Sequence, residues 1–215
     1  MADLLSASRG VRGPLFWRLY ARWYDTLWDT PLTSAVAARV VALLPAGLPV
    51  VELGAGTGLV TRHLVGPTRV VRASEPDRYM RARLRARSLP LAGLTTETID
   101  GCRLPAGDHA VVAVNVLHLV PDASRALARL TALAGPGGRV ILVVPAAGAT
   151  VTRVARAHRS AGASRGHAVL FCLAHAVLGP VALLAGVRTS VAAMPYGPVQ
   201  VSREHGVQDV YVLDA

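Results

Sequence analysis

The sequence of 215 residues contains no lysine: all 23 basic side chains are arginine, set against 13 acidic ones, for a net charge of +10. Asparagine occurs once, at Asn115, while Ala, Arg, Gly and Val abound. Such usage points to a GC-rich coding bias, so part of the charge reflects codon supply. A pI near 11.1 still permits an anionic partner: nucleic acid, a membrane surface or a phosphorylated substrate. Only two cysteines are present, Cys102 and Cys172. They cannot make a disulfide scaffold or a zinc cluster, and a reducing, cytoplasmic setting is expected. Charged residues make up just 17% and apolar ones 52%, which excludes a disordered polar or acidic chain. The N-terminus lacks the basic segment and apolar core of a secretory signal. No repeat or low-complexity linker interrupts the chain, and its length suits one domain with a full core.

Aromatics are scarce overall, yet most of them lie between Pro14 and Trp28. Phe16, Trp17, Tyr20, Trp23, Tyr24 and Trp28 recur at three- and four-residue intervals, which predicts one helix with a broad aromatic face. That helix either packs on the core or lids a ligand pocket, and both uses are compatible. A further helix is expected over 33–44, stopped by Pro45 and Gly47.

From Pro49 the pattern changes. The apolar run to Leu53 ends in Gly54-Ala55-Gly56-Thr57-Gly58, and an apolar helical stretch follows over 59–65. Arg69 to Ala73 reads as a strand ending at Ser74-Glu75-Pro76, before a helix over 77–87. Ala110 to Val114 is a strand ending at Asn115, Pro121 to Ala134 a helix, and Arg139 to Val144 another apolar strand. Continuous apolar strands alternating with helices predict a parallel sheet covered on both faces, an α/β, Rossmann-like, doubly wound architecture. Val207 to Leu213 reads as a closing strand.

A glycine-rich turn between strand and helix lets a ligand approach the backbone, because no Cβ intervenes. Glu52 sits inside an apolar run, where an unpaired carboxylate is costly, so it needs a partner near the ligand. Glu75 ends the next strand, at the spacing where an acid accepts two hydrogen bonds from a ribose diol. The loop departs from the GxGxxG dinucleotide pattern and lacks the Lys-Ser/Thr of a phosphate loop, which disfavours an NTPase.

VVELGAGTGLVTRHL resembles the first motif of class I S-adenosylmethionine-dependent methyltransferases, whose loop reads ExGxGxG. RVVRASEPDRYMRARLRAR resembles their second strand and helix. IDGCRLPAGDHAVVAVNVLHLVPD and LAGPGGRVILVVP resemble the later motifs of the small-molecule branch, the methyltransferase type 11 or ubiquinone-biosynthesis-like group. The likeness covers about residues 16–146. It implies a mostly parallel seven-stranded sheet in one domain over 1–215, with a lid helix near 14–30 and an apolar helical insertion near 150–187.

The same resemblance implies a site for S-adenosylmethionine. Gly54, Ala55, Gly56 and Gly58 would admit its methionine part, with Glu52 holding the loop or the amino group. Glu75, followed by Pro76, would bind the ribose. Asp100 would meet the adenine amine, flanked by Gly101 and Cys102. The carbonyl of Asn115 would meet the methionine ammonium, and Tyr20 or Tyr24 would cover the carboxylate or the sulfonium. His118 is the candidate base, or else a histidine that caps the loop before Pro121. The chain departs from the family at His109, where an acid is usual, at Leu119, where a second histidine is common, and at Cys102, where glutamate is common. No carboxylate set for magnesium is evident, so no metal is expected. Asn115-Val116-Leu117-His118 is not the Asn-Pro-Pro-aromatic motif of exocyclic-amine methylation, which lowers a nucleic-acid reading.

Seven arginines from Arg69 to Arg87 crowd one strand–helix unit, as a solvated helix face or an anion-binding surface. Val151 to Arg165 is basic and reads as helical. Ala168 to Val187 carries no charge, and it is long enough to span a membrane but broken at Gly179-Pro180. Two buried or interfacial helices are expected there, walling an apolar acceptor pocket, forming a dimer face or touching a membrane.

The expected activity is therefore methyl transfer to a small, apolar metabolite on oxygen, nitrogen or carbon, in a setting such as bacterial biosynthesis. The alternatives are a lipid or prenyl-linked acceptor at a membrane, a methyltransferase fold used for binding or other chemistry, and an RNA methyltransferase.

Overall fold

The computed structural model describes residues 14–146, 148–177 and 199–215. Helix α1 (Pro14–Trp28) and helix α2 (Pro31–Leu43, with proline in its first turn) precede the sheet. Then come β1 (Val50–Leu53), α3 (Thr61–Leu64), β2 (Val71–Ser74), α4 (Arg78–Ala86) and β3 (Gly93–Thr95). The second half has β4 (Ala110–Val114), α5 (Ala123–Ala134), β5 (Arg139–Pro145), α6 (Val151–Ser160), α7 (Arg165–Val177), β6 (Val199–Glu204) and β7 (Gln208–Asp214).

The seven strands form one sheet in the order β3-β2-β1-β4-β5-β7-β6. Every pair from β3 to β5 is parallel, and β7 runs antiparallel to both β5 and β6. The central strands read as unbroken apolar runs because both faces are covered: β1 is buried along its whole length and β5 from Val140 to Val144. One face packs Val51, Leu53, Val111 and Leu142 against Leu127 and Leu130 of α5. The other packs Val50, Val112, Ile141 and Val143 against Val36 and Val40 of α2 and Leu64 of α3. A third cluster joins Tyr20 and Leu27 of α1 to Val154 of α6 and Phe171 of α7.

Local chemistry sets the ends of these elements. The Asp77 side chain accepts from the amides of Tyr79 (2.8 Å) and Met80 (2.9 Å), capping α4. Asp122 caps α5 by accepting from the Arg125 amide at 2.9 Å. The basic helix expected over 151–165 ends instead at Ser160, because Gly162 turns the chain at φ +108° before α7 begins at Arg165. The helix expected over 59–65 is a single turn. Strands β3 and β6 carried no sequence expectation. The second half of the apolar stretch, with Gly179-Pro180, lies outside the described residues, as do residues 1–13. Among the described residues no helix is long and apolar enough to cross a membrane.

Candidate functional site

The chain leaves β1 for β2 on one side and later enters β4 on the other. The carboxyl ends of β1 and β4 therefore flank the switch point where ligands settle in open α/β sheets. The glycine loop follows β1 and Asn115 follows β4.

The amides of Gly54 (2.8 Å) and Ala55 (3.0 Å) both donate to the Ser74 carbonyl, which pins the loop to the end of β2. Gly54, Gly56 and Gly58 all have positive φ, at +72°, +59° and +88°. Each glycine meets a different boundary. A Cβ on Gly54 would strike Val116, and one on Gly58 would lie 2.6 Å from Leu84 Cδ1. A Cβ on Gly56 would meet nothing within 4 Å, so this peptide faces open space, where a ligand can approach the backbone.

The Glu75 carboxylate is buried and held by two amides. Oε2 accepts from Gly56 N at 2.7 Å and Oε1 from Asp77 N at 2.8 Å. Burial raises its pKa, and the two backbone bonds oppose that rise. Each oxygen keeps a lone pair for a further donor.

A cavity of about 50 Å³ opens beside the loop, lined by Glu52, Gly54, Ala55, Gly56 and Asn115, and by Tyr24 and Trp28 of α1. Gln208, the first residue of β7, also lines it. Three oxygens around this cavity are buried without a hydrogen-bond partner: Glu52 Oε2, Asn115 Oδ1 and Gln208 Oε1. Burial pushes the Glu52 carboxyl up to about 8, and the charge on Glu75 acts in the same direction. Glu52 is therefore largely protonated at neutral pH until a cation joins it. Asn115 adopts φ +55°, a left-handed turn that asparagine tolerates better than most residues. The cavity thus has an edge of oxygen acceptors, suited to an ammonium or another donor-rich group.

Helix α1 closes over this site and is fastened at its C-terminal end, through Asp25 in its last turn and Asp29 just beyond it. Asp25 accepts from Thr57 Oγ1 (2.5 Å) and pairs with Arg87 (2.8 Å). Asp29 pairs with Arg62 through two bonds, at 2.5 and 2.9 Å. Tyr24 lies against the cavity, and burial drives its phenol far above the usual range, so it stays a neutral donor. Tyr20 lies away from the cavity, where its hydroxyl accepts from Trp28 Nε1 at 2.7 Å.

The remaining expected residues lie off the cavity. Pro76 is exposed, and its carbonyl accepts from Arg81 at 2.8 Å. Asp100 is exposed and paired with Arg125 at 3.3 Å, and Gly101 is exposed beside it. Cys102 is buried in the core beneath α5, where desolvation raises its thiol pKa. His118 sits in a short 3₁₀ turn, Leu117–Leu119, with Nδ1 buried and unpartnered. Burial holds it down to about 4, so it is neutral at physiological pH. The arginines of α4 and its C-cap are partly engaged within the protein: Arg81 donates to the carbonyls of Glu75 and Pro76, Arg83 to that of Arg22, and the C-cap Arg87 to that of Thr57.

No sequence motif marks Gln208 or the aspartates Asp25 and Asp29 at the end of α1. Only the return of β7 beside β5, and the docking of α1, bring them to the loop.

The Methyltransf_11 family, described as a methyltransferase domain, matches residues 51–142. No curated protein matches the chain. Among solved structures, magnesium protoporphyrin IX methyltransferase from Synechocystis PCC 6803 with bound SAH is 18% identical with a TM-score of 0.51, covering 84% of this chain and 80% of its own. A putative methyltransferase from Haloferax volcanii, in complex with the activator Trm112, is 21% identical with a TM-score of 0.48, covering 60% of this chain and 59% of its own. The CcbJ methyltransferase from Streptomyces caelestis is 26% identical with a TM-score of 0.44, covering 50% of each chain. The chain thus spans only about half to three fifths of the length of these last two, and the likeness in fold rests on the Synechocystis enzyme. Residues 51–142 match the methyltransferase-domain family model, and the seven-stranded, mostly parallel sheet has the Rossmann-like fold of the Synechocystis methyltransferase.

Proposed function

We propose that this chain binds S-adenosylmethionine at the β1–β4 switch point and transfers its methyl group to a small, largely apolar acceptor. The observation that carries this reading is the Glu75 carboxylate, buried and clamped between Gly56 N and Asp77 N beside a glycine that faces open space. That arrangement suits a vicinal diol. The unpartnered oxygens of Glu52 and Asn115 suit the methionine ammonium. When bound, the cofactor supplies an electrophilic methyl group on a sulfonium.

The protein's contribution is alignment and exclusion of water. Glu75 fixes the ribose end, and the Gly54–Gly58 loop lets the ligand lie against backbone. Tyr24 and Trp28 close the site from α1. The cavity of the unliganded chain is about 50 Å³, smaller than a pocket for a ligand of this size, so binding would widen it on the α1 side. His118 would serve as base for an O–H or N–H acceptor only if acceptor binding raised its pKa from about 4 toward neutrality. An RNA acceptor draws less support, because the arginines of α4 and its C-cap Arg87 are partly spent on internal carbonyls and on Asp25. Asp100, Gly101 and Cys102 would sit on the adenine side. A bacterial biosynthetic role and a homodimer belong to the same reading.

Thermal unfolding with S-adenosylmethionine or S-adenosylhomocysteine tests the cofactor. Either should raise Tm, and Glu75→Gln should remove most of the shift while keeping the fold. No shift in the unaltered protein would overturn the reading. His118→Ala should lower turnover with cofactor affinity unchanged; an unaltered rate would assign His118 to structure.

A further inference from the structure

The face formed by α6 and α7 is chemically unlike the rest of the surface. Between Asp122 and Glu204 the sequence contains no acidic residue but nine arginines. Helix α7 turns Ala168, Phe171 and His175 inward, against α1 and α6. Its outer face is not polar. Val169, Leu170 and Leu173 are 58%, 37% and 59% exposed. Arg165, Val169 and Leu173 recur every four residues and so share one stripe.

An open groove of about 820 Å³ runs along this stripe, between α7 and the Arg156–Arg159 side of α6. Arg156, Arg159 and Arg165 line it and are exposed. Elsewhere five arginines pair with a carboxylate, among them Arg62 with Asp29, Arg87 with Asp25 and Arg203 with Asp209. Nothing acidic on α6 or α7 can do the same for these three.

We propose that this face docks on an anionic lipid bilayer, with Val169, Leu170 and Leu173 entering the headgroup–acyl boundary and Arg156, Arg159 and Arg165 meeting lipid phosphates. Charge complementarity selects this occupant. An exposed aliphatic stripe rimmed by unneutralised guanidinium groups fits a surface that offers hydrocarbon and phosphate in adjacent layers. A neutral protein face would satisfy the leucines and strand the charge. A soluble polyanion would satisfy the charge and leave the leucines in water. The proposed docking is peripheral, and among the described residues α7 spans 13, short of a membrane crossing. The inference stands apart from the methyl-transfer reading, since none of the residues lining this groove lines the cavity at the glycine loop and it is read without cofactor or acceptor.

Co-sedimentation of the full chain with phosphatidylcholine vesicles, with and without phosphatidylglycerol, tests it. Binding should require phosphatidylglycerol and weaken as salt is raised. Arg159→Gln should reduce the partition coefficient about fivefold, and Arg156→Gln with Arg159→Gln about twenty-five-fold, from the usual worth of a basic side chain near an anionic surface. Leu173→Ser should weaken binding without changing its salt dependence. Circular dichroism and Tm check that these exposed substitutions leave the fold intact. Equal partition to neutral and anionic vesicles would overturn the proposal. So would binding indifferent to Leu173→Ser, which would mark a purely electrostatic polyanion site. A dimer in size-exclusion chromatography that Leu173→Ser dissociates would likewise overturn it, by assigning the face to a second copy.

Discussion

Replacing Glu52 with glutamine should stabilise the ligand-free protein and weaken ligand binding, with a pH dependence that identifies the cause. The Glu52 carboxyl is buried in β1, and its pKa is pushed up to about 8 from an ordinary value of 4.5. A raised folded pKa means that the native state holds a proton which the unfolded state releases. Stability is therefore unaffected below pH 4.5 and falls as pH rises toward 8. At pH 7 the interval is about 2.5 pH units, equivalent to about 3 kcal/mol at 1.36 kcal/mol per unit. Glutamine carries no such penalty. In a chain of this length 1 kcal/mol moves Tm by about 2–4 °C, so Glu52→Gln should gain several degrees at pH 7. The gain should approach zero near pH 4.5. Differential scanning calorimetry of both proteins between pH 4.5 and 8 measures it. A gain that is the same across this range, or a loss at pH 8, would refute the argument. If a bound ammonium draws Glu52 into its charged form, ligand binding at pH 7 also releases a proton. Titration calorimetry in buffers of different ionisation enthalpy would detect that release in the unaltered protein and its absence in Glu52→Gln.

Gln208→Leu removes a buried oxygen with no partner, so apo stability should hold or rise while affinity for the cofactor or acceptor falls about tenfold, read by titration calorimetry. Asp25→Ala breaks the tie of α1 to Thr57 and Arg87; it should cost about 1 kcal/mol and speed S-adenosylhomocysteine release severalfold in stopped-flow. Burial and the neighbouring His167 and His175 hold His158 down to about 4. The stability this depressed group confers is complete above its unfolded value near 6.5 and is lost as pH falls toward 4, by up to about 3 kcal/mol. His158→Leu should lessen this acid loss in urea unfolding at pH 7 and pH 4.5.

Histidine placement shows why part of this molecule escaped a linear reading. His158, His167 and His175 look unremarkable in sequence, yet the turn at Gly162 folds α7 back on α6. The ring centroids of His158 and His167 then lie 5.1 Å apart, with Phe171 4.9 Å from His158. Trp28 of α1 packs against the same group, at 5.6 Å from His158 and 5.1 Å from Phe171. The aromatic periodicity of α1 was legible; its partners were not. Strands β3 and β6 were missed for a related reason. Gly93–Thr95 is short and not fully buried, and a strand at a sheet edge needs no continuous apolar run. The run at β1, β4 and β5 was plain because those strands are covered on both sides.

What the sequence determined by itself is local. Apolar runs fix where the central strands lie, three glycines at alternate positions fix a turn that only they adopt without strain, and Glu75 falls at the end of the next run. Each follows from one segment's own chemistry. Tertiary structure alone decided which distant side chains face that turn. It brought Gln208 from β7 and Asp25, Tyr24 and Trp28 from α1 to the glycine loop. It also carried Asp100 out to solvent beside Arg125 and Cys102 into the core. Those placements depend on packing between elements far apart in the chain, and no single segment encodes them.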